Sequence, residues 1–224
     1  MLGRFELLSL LGGTLIIMIL VNRIAKYLRG NILPPGSVMV GNPLPESGDP
    51  APVTRGSLVG LLFAIGSGLC FSIFTLIACI FDFWYLIPTF FFIRLPVWLN
   101  WAGIASGWAI DAWNLAAMYY NVNFTLAFKR LKGTYVLATG GPYKWVRHPV
   151  YAAGCVFAIS IFLVTEFWLL LLGILFWGTV RAQAIEEENL MRKTFGAVYE
   201  HYYHTTGRFF PKYHWTIRTG TVSA

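Results

Sequence analysis

Charged residues are scarce in this chain: 12% of its 224 residues are Asp, Glu, Lys or Arg, while 57% are hydrophobic. A soluble domain carries about 25% charged residues. A chain with so little charge cannot hide its apolar surface in one water-soluble core, and this excludes an ordinary soluble globular protein. We therefore predict an integral membrane protein whose apolar surface is largely solvated by lipid.

Cysteine is also rare, and several functional motifs are missing. The three cysteines, Cys70, Cys79 and Cys155, lie in apolar stretches without a CxxC pair or a Cys/His cluster. This argues against a disulfide framework and against a bound metal. The sequence has no GxGxxG, Walker A or HExxH motif, so dinucleotide, P-loop and zinc-protease classes lack support.

Acidic residues are outnumbered 10 to 17 by basic ones, which gives a net charge of +7. No basic run is long enough to act as a footprint for nucleic acid, and we predict no nucleic-acid partner. Basic residues of membrane proteins collect in cytoplasmic loops, and this explains the positive charge better.

Apolar runs predict an all-α, polytopic membrane protein with about five membrane helices. The first run covers residues 5–21, with an extension to about 27, and is interpreted as a retained signal anchor; the second covers 57–81. A third opens at Pro96 and ends near residue 120, because proline suits a first helical turn. Two short runs, 150–164 and 167–180, predict a helical hairpin, with Glu166 holding its tip near the far interface.

The basic residues fit this topology. All of the 17 except Arg4 and Arg94 fall on one side of the membrane when the 22–57 loop is placed inside. The positive-inside rule then predicts a cytosolic C-terminus and a cytosolic active site.

Two regions follow from these elements. Residues 1–121 hold the N-terminal membrane helices and a Pro/Gly-rich cytosolic loop at 31–56, which is either a connector or a flap over a site. Residues 122–224 hold the hairpin at 150–181 and a cytosolic helix from 182 to about 204. One face of the third helix is polar and includes Asp111, which is either a contact between helices or the lining of a polar path.

Two polar segments could carry chemistry. Residues 139–151 read TGGPYKWVRHPVY and combine aromatic rings with the donors Arg147 and His148. They could bind a flat ligand, or they could be an interfacial anchor. The second segment, 186–188, holds three glutamates. These could simply favour a helix dipole, or one could hold a cationic cofactor with a sulfonium or an α-amino group.

The order of these segments is that of a known family. The chain reads LATGGPYKWVRHPVY, a hydrophobic hairpin, then EEENLMRKTFGAVYEHYYHTTGRFFP. Over residues 130–212 this resembles the isoprenylcysteine carboxyl methyltransferase family. The resemblance implies a membrane methyltransferase that uses S-adenosylmethionine at the cytosolic membrane face and receives a prenylated or other lipid substrate from the bilayer.

The resemblance also implies roles for individual residues. It places the catalytic role on Glu187 and Arg181. It places cofactor binding on Tyr135, Val136, Leu137, Ala138, Tyr143, His148, Pro149, Val150, Tyr151 and Glu187. Two positions depart from the family. Gln183 stands where the family has a substrate-facing arginine, with Arg181 two residues earlier, and Phe128 stands where the family has a glutamine.

These departures leave the acceptor open. A carboxylate is already ionised at pH 7 and needs no base, whereas an amine must first lose a proton. Gln183 in place of arginine removes a carboxylate clamp. Alternatives to isoprenylcysteine carboxyl methylation are therefore phospholipid amine N-methylation, an NADPH-dependent reaction like that of sterol reductases, and a non-enzymatic scaffold.

Overall fold

The computed structural model describes residues 32–39, 80–122 and 136–212, together with single positions between 6 and 27 and between 73 and 78. These ranges are mostly helical, as predicted. In chain order the elements are β1 (Ser37–Met39), α1 (Val97–Tyr120), β2 (Val136–Ala138), α2 (Pro149–Thr165), α3 (Trp177–Phe195) and α4 (Ala197–Thr205). Short 3-10 segments cover Phe83–Leu86, Thr89–Phe91, Gly141–Lys144 and Trp168–Phe176.

Proline sets the start of both long apolar helices, as the sequence predicts. Pro96 is the N-cap of α1, with φ −58°. Pro149 is the first residue of α2, and His148 before it is extended, with φ −123° and ψ 67°. A proline ring disfavours the α region at the preceding residue and lacks an N–H that the first turn would leave unpaired.

Helices α1 and α2 pack closely and are joined by polar contacts. A Cβ on Gly103 would lie 2.8 Å from the Cβ of Leu163, so only glycine fits there. The hydroxyls of Ser106 and Ser160 are 2.8 Å apart, and the Trp113 indole N–H donates to the Pro149 carbonyl at 3.1 Å. Among the described residues no atom lies within 4 Å of a Cβ built on Gly107, so this contact does not require glycine there.

The hairpin tip lies at Glu166, as predicted, but the side chain does not point outward. Glu166 is only 4% exposed and takes a left-handed conformation, with φ 63°. Its Oε1 accepts hydrogen bonds from the Leu95 N–H and the Asn100 side chain, both at 3.3 Å. The carboxylate satisfies donors at the start of α1, and the position of the tip near the far interface stays a prediction.

The second arm of the hairpin is longer than predicted. Helical structure runs from Trp168 to Phe195, and this is the stretch in the described ranges that is long and apolar enough to cross a membrane. Pro149–Thr165 is a shorter apolar helix. The predicted boundary at residues 181–182 is wrong, because a change from apolar to polar side chains does not interrupt backbone hydrogen bonding. The break comes at Gly196, whose φ is 55°.

A small antiparallel sheet joins the Pro/Gly-rich loop to the second region. Ser37 pairs with Ala138 and Met39 with Val136. Leu137 then packs with Phe195, Tyr199 and Tyr202 in a buried cluster beneath this sheet. The segment at 37–39 therefore covers one of the predicted cofactor segments. The Pro/Gly-rich loop therefore supplies a strand to this sheet in addition to its predicted role as a connector.

The topology as a whole stays a prediction. The first two predicted membrane helices lie mostly outside the described residues, although positions 6, 13, 16, 20, 23, 24 and 27 and positions 73, 74, 76–78 and 80 are helical. Tyr135 and Phe128 also lie outside the described residues.

Candidate active site

The candidate site lies where the start of α2 meets the middle of α3. The extended backbone before Pro149 pairs with the segment that follows α4: Arg147 N–H donates to the Gly207 carbonyl at 2.8 Å, and His148 N–H donates to the Arg208 carbonyl at 3.0 Å. These bonds hold both side chains against α3. His148 at the N-cap of α2 and Tyr151 in its first turn therefore both face α3.

Glu187 is the centre of the first group. Its Oε1 accepts hydrogen bonds from the Tyr151 hydroxyl at 2.6 Å and from the Gln183 amide at 3.2 Å. Its Oε2 lies 3.5 Å from His148 Nδ1. The His148 and Tyr151 rings are parallel within 6° and 5.5 Å apart. The Glu187 side chain is still 31% exposed, so its carboxylate is oriented but accessible.

Two buried polar atoms of this group lack a hydrogen-bond partner within the described ranges. One is Gln183 Oε1, an acceptor beside Glu187. The other is His148 Nε2, which lies 3.3 Å from Glu188 Oε1 without a hydrogen-bond alignment. Unpaired buried polar atoms cost free energy, and they often mark a position that a ligand completes.

Glu188 is the centre of a second group, which is closed. Its side chain is 3% exposed and contacts two arginines. Arg147 Nε donates to Oε1 at 2.9 Å, and Arg208 Nη2 donates to Oε2 at 2.7 Å. Arg147 also donates to the carbonyls of Tyr203, at 2.8 Å, and Thr206. Every group is paired, so this network holds the C-terminal segment against α3 rather than offering a reactive atom.

The two glutamates set the charge of His148. Burial alone would lower the pKa of its imidazole, because burial disfavours the charged form. The carboxylates of Glu187 and Glu188 favour the charged form and outweigh burial, so the pKa of His148 is raised above its ordinary value. The site thus holds an imidazole that is charged over a wider pH range than a free histidine.

Other predicted cofactor residues have buried side chains. Tyr143 is packed with Ala117 and Ala138, and its hydroxyl accepts a hydrogen bond from Asn121 at 3.2 Å. Burial raises the pKa of Tyr143 to about 12, so this phenol is neutral. Pro149 is fully buried and Leu137 nearly so. Half-buried Val150 packs on the cluster around Tyr143. Contacts of Tyr143, Pro149 and Leu137 with a cofactor would therefore depend on their main-chain atoms, whereas the side chain of Val150 is partly accessible.

Arg181, the second predicted catalytic residue, does not join Glu187. It is exposed and lines an open cavity of about 510 Å³ together with Arg147, Arg208 and Lys212. The cavity adjoins the Glu188 group rather than the Glu187 carboxylate. Seven residues separate Arg181 from Glu188, which places the two on one face of α3, whereas six residues place Glu187 about 120° away.

Sequence reasoning missed two residues that shape the site. Glu188 was treated only as one of three glutamates, and Arg208 was not assigned a role. A signal for Arg208 existed, since the R-x-x-P ending of the resembled family falls on Arg208–Pro211. Its pairing with Glu188 depends on a fold-back of the chain that the spacing alone does not show.

Comparison with known proteins supports the chemical class. The model of the phospholipid methyltransferase family matches residues 95–198, which is 104 of the 224 residues and includes His148, Tyr151 and Glu187. No curated protein matches the chain. The match confirms the prediction of an enzyme: the chain is a methyltransferase. It supports a membrane methyltransferase, but not specifically the isoprenylcysteine family, and gives no support to the reductase alternative.

Proposed function

We propose that this membrane methyltransferase transfers a methyl group from S-adenosylmethionine to the amine of a phospholipid headgroup at the cytosolic membrane surface. One observation carries the choice of acceptor. Gln183, at the position where the resembled family has a substrate-facing arginine, is buried and donates to Glu187. The position beside the candidate catalytic carboxylate is therefore neutral and cannot clamp a carboxylate acceptor.

The acceptor atoms of the candidate site suit a cation. Glu187 offers a carboxylate, and Gln183 Oε1 beside it is a buried acceptor without a partner among the described residues. An ammonium group donates hydrogen bonds to both atom types, and a sulfonium is attracted to a carboxylate. Both methyl donor and amine acceptor carry such groups, so the residues fit the cofactor and the substrate alike.

The chemistry asked of the chain is limited. In the transfer, the acceptor nitrogen forms a bond to the methyl carbon as the carbon–sulfur bond breaks. The nitrogen must first give up one proton, and Glu187 is placed to accept it, held by Tyr151 and Gln183. The remaining acceleration comes from alignment of the two reactants. General base catalysis of this kind contributes about 10²–10⁴-fold.

The segment 136–138, which is proposed to bind the methyl donor, can do so through its main-chain atoms. Val136, Leu137 and Ala138 form β2, and their partner strand Ser37–Met39 holds the segment in place. Residues 37–39 of the Pro/Gly-rich loop thus help to build the proposed cofactor site. The cytosolic placement is supported by the distribution of basic residues along the sequence.

The test is a methyl-transfer assay in which one preparation of the protein is given two alternative acceptors. The purified full chain in mixed micelles receives methyl-labelled S-adenosylmethionine with either phosphatidylethanolamine or a prenylated cysteine. We expect label in the lipid amine only, and a loss of about 100-fold or more in Glu187→Gln. The control is Glu200→Gln, since Glu200 lies on α4 away from the site. Label in the prenylcysteine ester alone would overturn the choice of acceptor.

Isoprenylcysteine carboxyl methylation remains the second candidate. The order of motifs over residues 130–212 favours it. It would require Arg181 to bind the carboxylate in place of the missing arginine. The position of Arg181 on the Glu188 face of α3 weighs against this, because the clamp and the candidate catalytic carboxylate would then lie on different faces.

A further inference from the structure

A basic cavity lies beside the candidate site, and the chemistry described above does not use it. It has a volume of about 510 Å³ and lies between α3 and the segment at 207–212. Its lining includes four basic side chains: Arg147, Arg181, Arg208 and Lys212. A cavity of this size is in the range that holds a small ligand.

The cavity carries an excess of positive charge. Arg147 and Arg208 share the single carboxylate of Glu188. Lys212 donates to the neutral carbonyls of Tyr203, at 3.0 Å, and His204, at 2.8 Å. Four cations therefore face one anion. Three positive charges are left for an anion that enters the cavity.

Arg181 is the side chain that is free to bind such an anion. In the part of the chain that the structure describes, it makes no hydrogen bond or ion pair, and it is exposed. Its guanidinium offers a planar fork of donors that matches the geometry of a phosphate. The other cations of the cavity are fixed by their protein partners, so their positions are set before an anion arrives.

One wall of the cavity is apolar and continues toward the membrane helix. Trp177 and Phe209 line the cavity, with ring centroids 4.5 Å apart, and Phe210 beside them is largely exposed. Trp177 lies within the apolar stretch Trp168–Phe195. Charged and apolar surfaces thus meet at one opening. This arrangement suits a lipid, in which a charged headgroup adjoins the less polar glycerol region.

We propose that this cavity binds the phosphodiester of the acceptor phospholipid, with Arg181 as the principal donor. The inference rests on the proposed function, since it assigns the substrate of that reaction a second point of contact. Arg181 and Glu187 are six residues apart on α3, about 9 Å along the axis. The phosphate and the amine of one headgroup would therefore be held on adjacent faces of the same helix.

The test compares Arg181→Gln with Lys193→Gln, in which an exposed lysine of α3 outside the cavity lining loses the same charge. We expect the KM for phosphatidylethanolamine in mixed micelles to rise about tenfold or more in Arg181→Gln and to stay within about twofold in Lys193→Gln. The Kd for S-adenosylmethionine, measured by calorimetry, should not change in either variant. Equal increases in both variants would show a bulk charge effect and overturn the proposal.

Other sources of an anion give different results. If Arg181→Gln weakened S-adenosylmethionine and left the lipid KM unchanged, the cavity would hold the carboxylate of the methyl donor. If inorganic phosphate bound with an affinity that depends on Arg181 but did not compete with lipid, the cavity would be a site for free phosphate. Either result overturns the assignment to the acceptor.

A binding experiment separates this inference from the proposed reaction. Phosphatidylglycerol has the phosphodiester but no amine, and diacylglycerol lacks both. Wild-type protein in detergent micelles should bind added phosphatidylglycerol more tightly than added diacylglycerol, and Arg181→Gln should lose most of the difference. This preference for the phosphodiester can be measured even if the protein methylates no amine. If an active enzyme lacked the preference, the result would overturn the proposed role of the cavity but not the proposed function.

Discussion

The Tyr151 hydroxyl donates a hydrogen bond of 2.6 Å to Oε1 of Glu187, across the contact between the start of α2 and the middle of α3. Tyr151 also stacks on His148, so one ring orients both the carboxylate and the imidazole. Because the hydrogen bond goes to a carboxylate, it is stronger than one between neutral groups. Tyr151 is therefore a positioning residue for Glu187, and its loss should disturb the reaction more than the fold.

Tyr151→Phe should lower kcat for methyl transfer by about tenfold, because a hydrogen bond to a charged group is worth about 1.5–3 kcal/mol. Initial rates at saturating donor and acceptor measure this. Tyr27→Phe, at a position that is 86% exposed with respect to the described residues, is the control. A variant with wild-type kcat would show that Glu187 needs no fixed orientation.

Two glutamates that both contact basic side chains should differ sharply in their contribution to stability. Glu188 is buried with Arg147 and Arg208, whereas Glu200 is 45% exposed and contacts Arg192 and His204. Glu188→Gln leaves the buried charge of Arg147 without a carboxylate partner and should cost about 3 kcal/mol. Glu200→Gln should cost under about 1 kcal/mol.

Thermal unfolding of the purified protein in detergent measures the contrast. The midpoint should fall by several degrees in Glu188→Gln and barely move in Glu200→Gln. Similar midpoints for the two variants would mean that the Arg147–Glu188–Arg208 network does not hold the C-terminal segment in place.

The pKa of His148 predicts the sign of a pH effect on stability. Its pKa is raised in the folded protein, so the contribution of the charged ring is complete below about 6.5, the ordinary pKa of histidine. That contribution is lost as the pH rises through the folded pKa. The stability difference between wild type and His148→Gln should therefore shrink from pH 6 upward.

Unfolding midpoints of both proteins at several pH values measure the difference. Subtracting the midpoint of His148→Gln from that of the wild type at each pH cancels the contributions of the other titrating groups. A difference that grows with pH would mean that burial outweighs Glu187 and Glu188, and that His148 is neutral in the folded protein.

The parts of the fold that could be predicted depend on local rules. Pro96 and Pro149 start helices because the proline ring acts on its immediate neighbours. The pairing of Ser37–Met39 with Val136–Ala138 could not be predicted, because it joins segments about 100 residues apart and the strands are only three residues long. The inward turn of Glu166 likewise depends on where the start of α1 lies.

In the candidate site, too, some features could be predicted from the sequence and others depend on long-range contacts. Juxtaposition of His148, Tyr151 and Glu187 follows the order of motifs, and the structure brings these three together. The sequence groups Arg181 with Glu187 because Arg181 lies two residues before Gln183, where the resembled family has its arginine. Helical periodicity would have separated them, since six residues are 600° of rotation and seven are nearly two full turns. The pairing of Glu188 with Arg208 needed the fold-back of the chain.

Gly141 should tolerate no side chain, because both its conformation and its surroundings require glycine. Its φ is +54°, and a Cβ there would lie 2.3 Å from the ring of Tyr120. Gly141→Ala should destabilise the protein by about 1–3 kcal/mol, because it adds a strained backbone to a clash. It should also shift the segment that leads to Tyr143 and His148, and so weaken binding of S-adenosylmethionine.

The matched control is Gly154→Ala in the interior of α2, where a Cβ has no atom of the described residues within 4 Å. Alanine favours helix more than glycine does, so this variant should be neutral or more stable by up to about 1 kcal/mol. Unfolding midpoints and calorimetric affinity for the donor are measured on both variants. If Gly141→Ala kept wild-type stability but lost the donor, the glycine would serve the pocket and not the fold. If it kept both, Tyr120 would not define the position of the TGGPY segment, because the ring would have moved aside without cost.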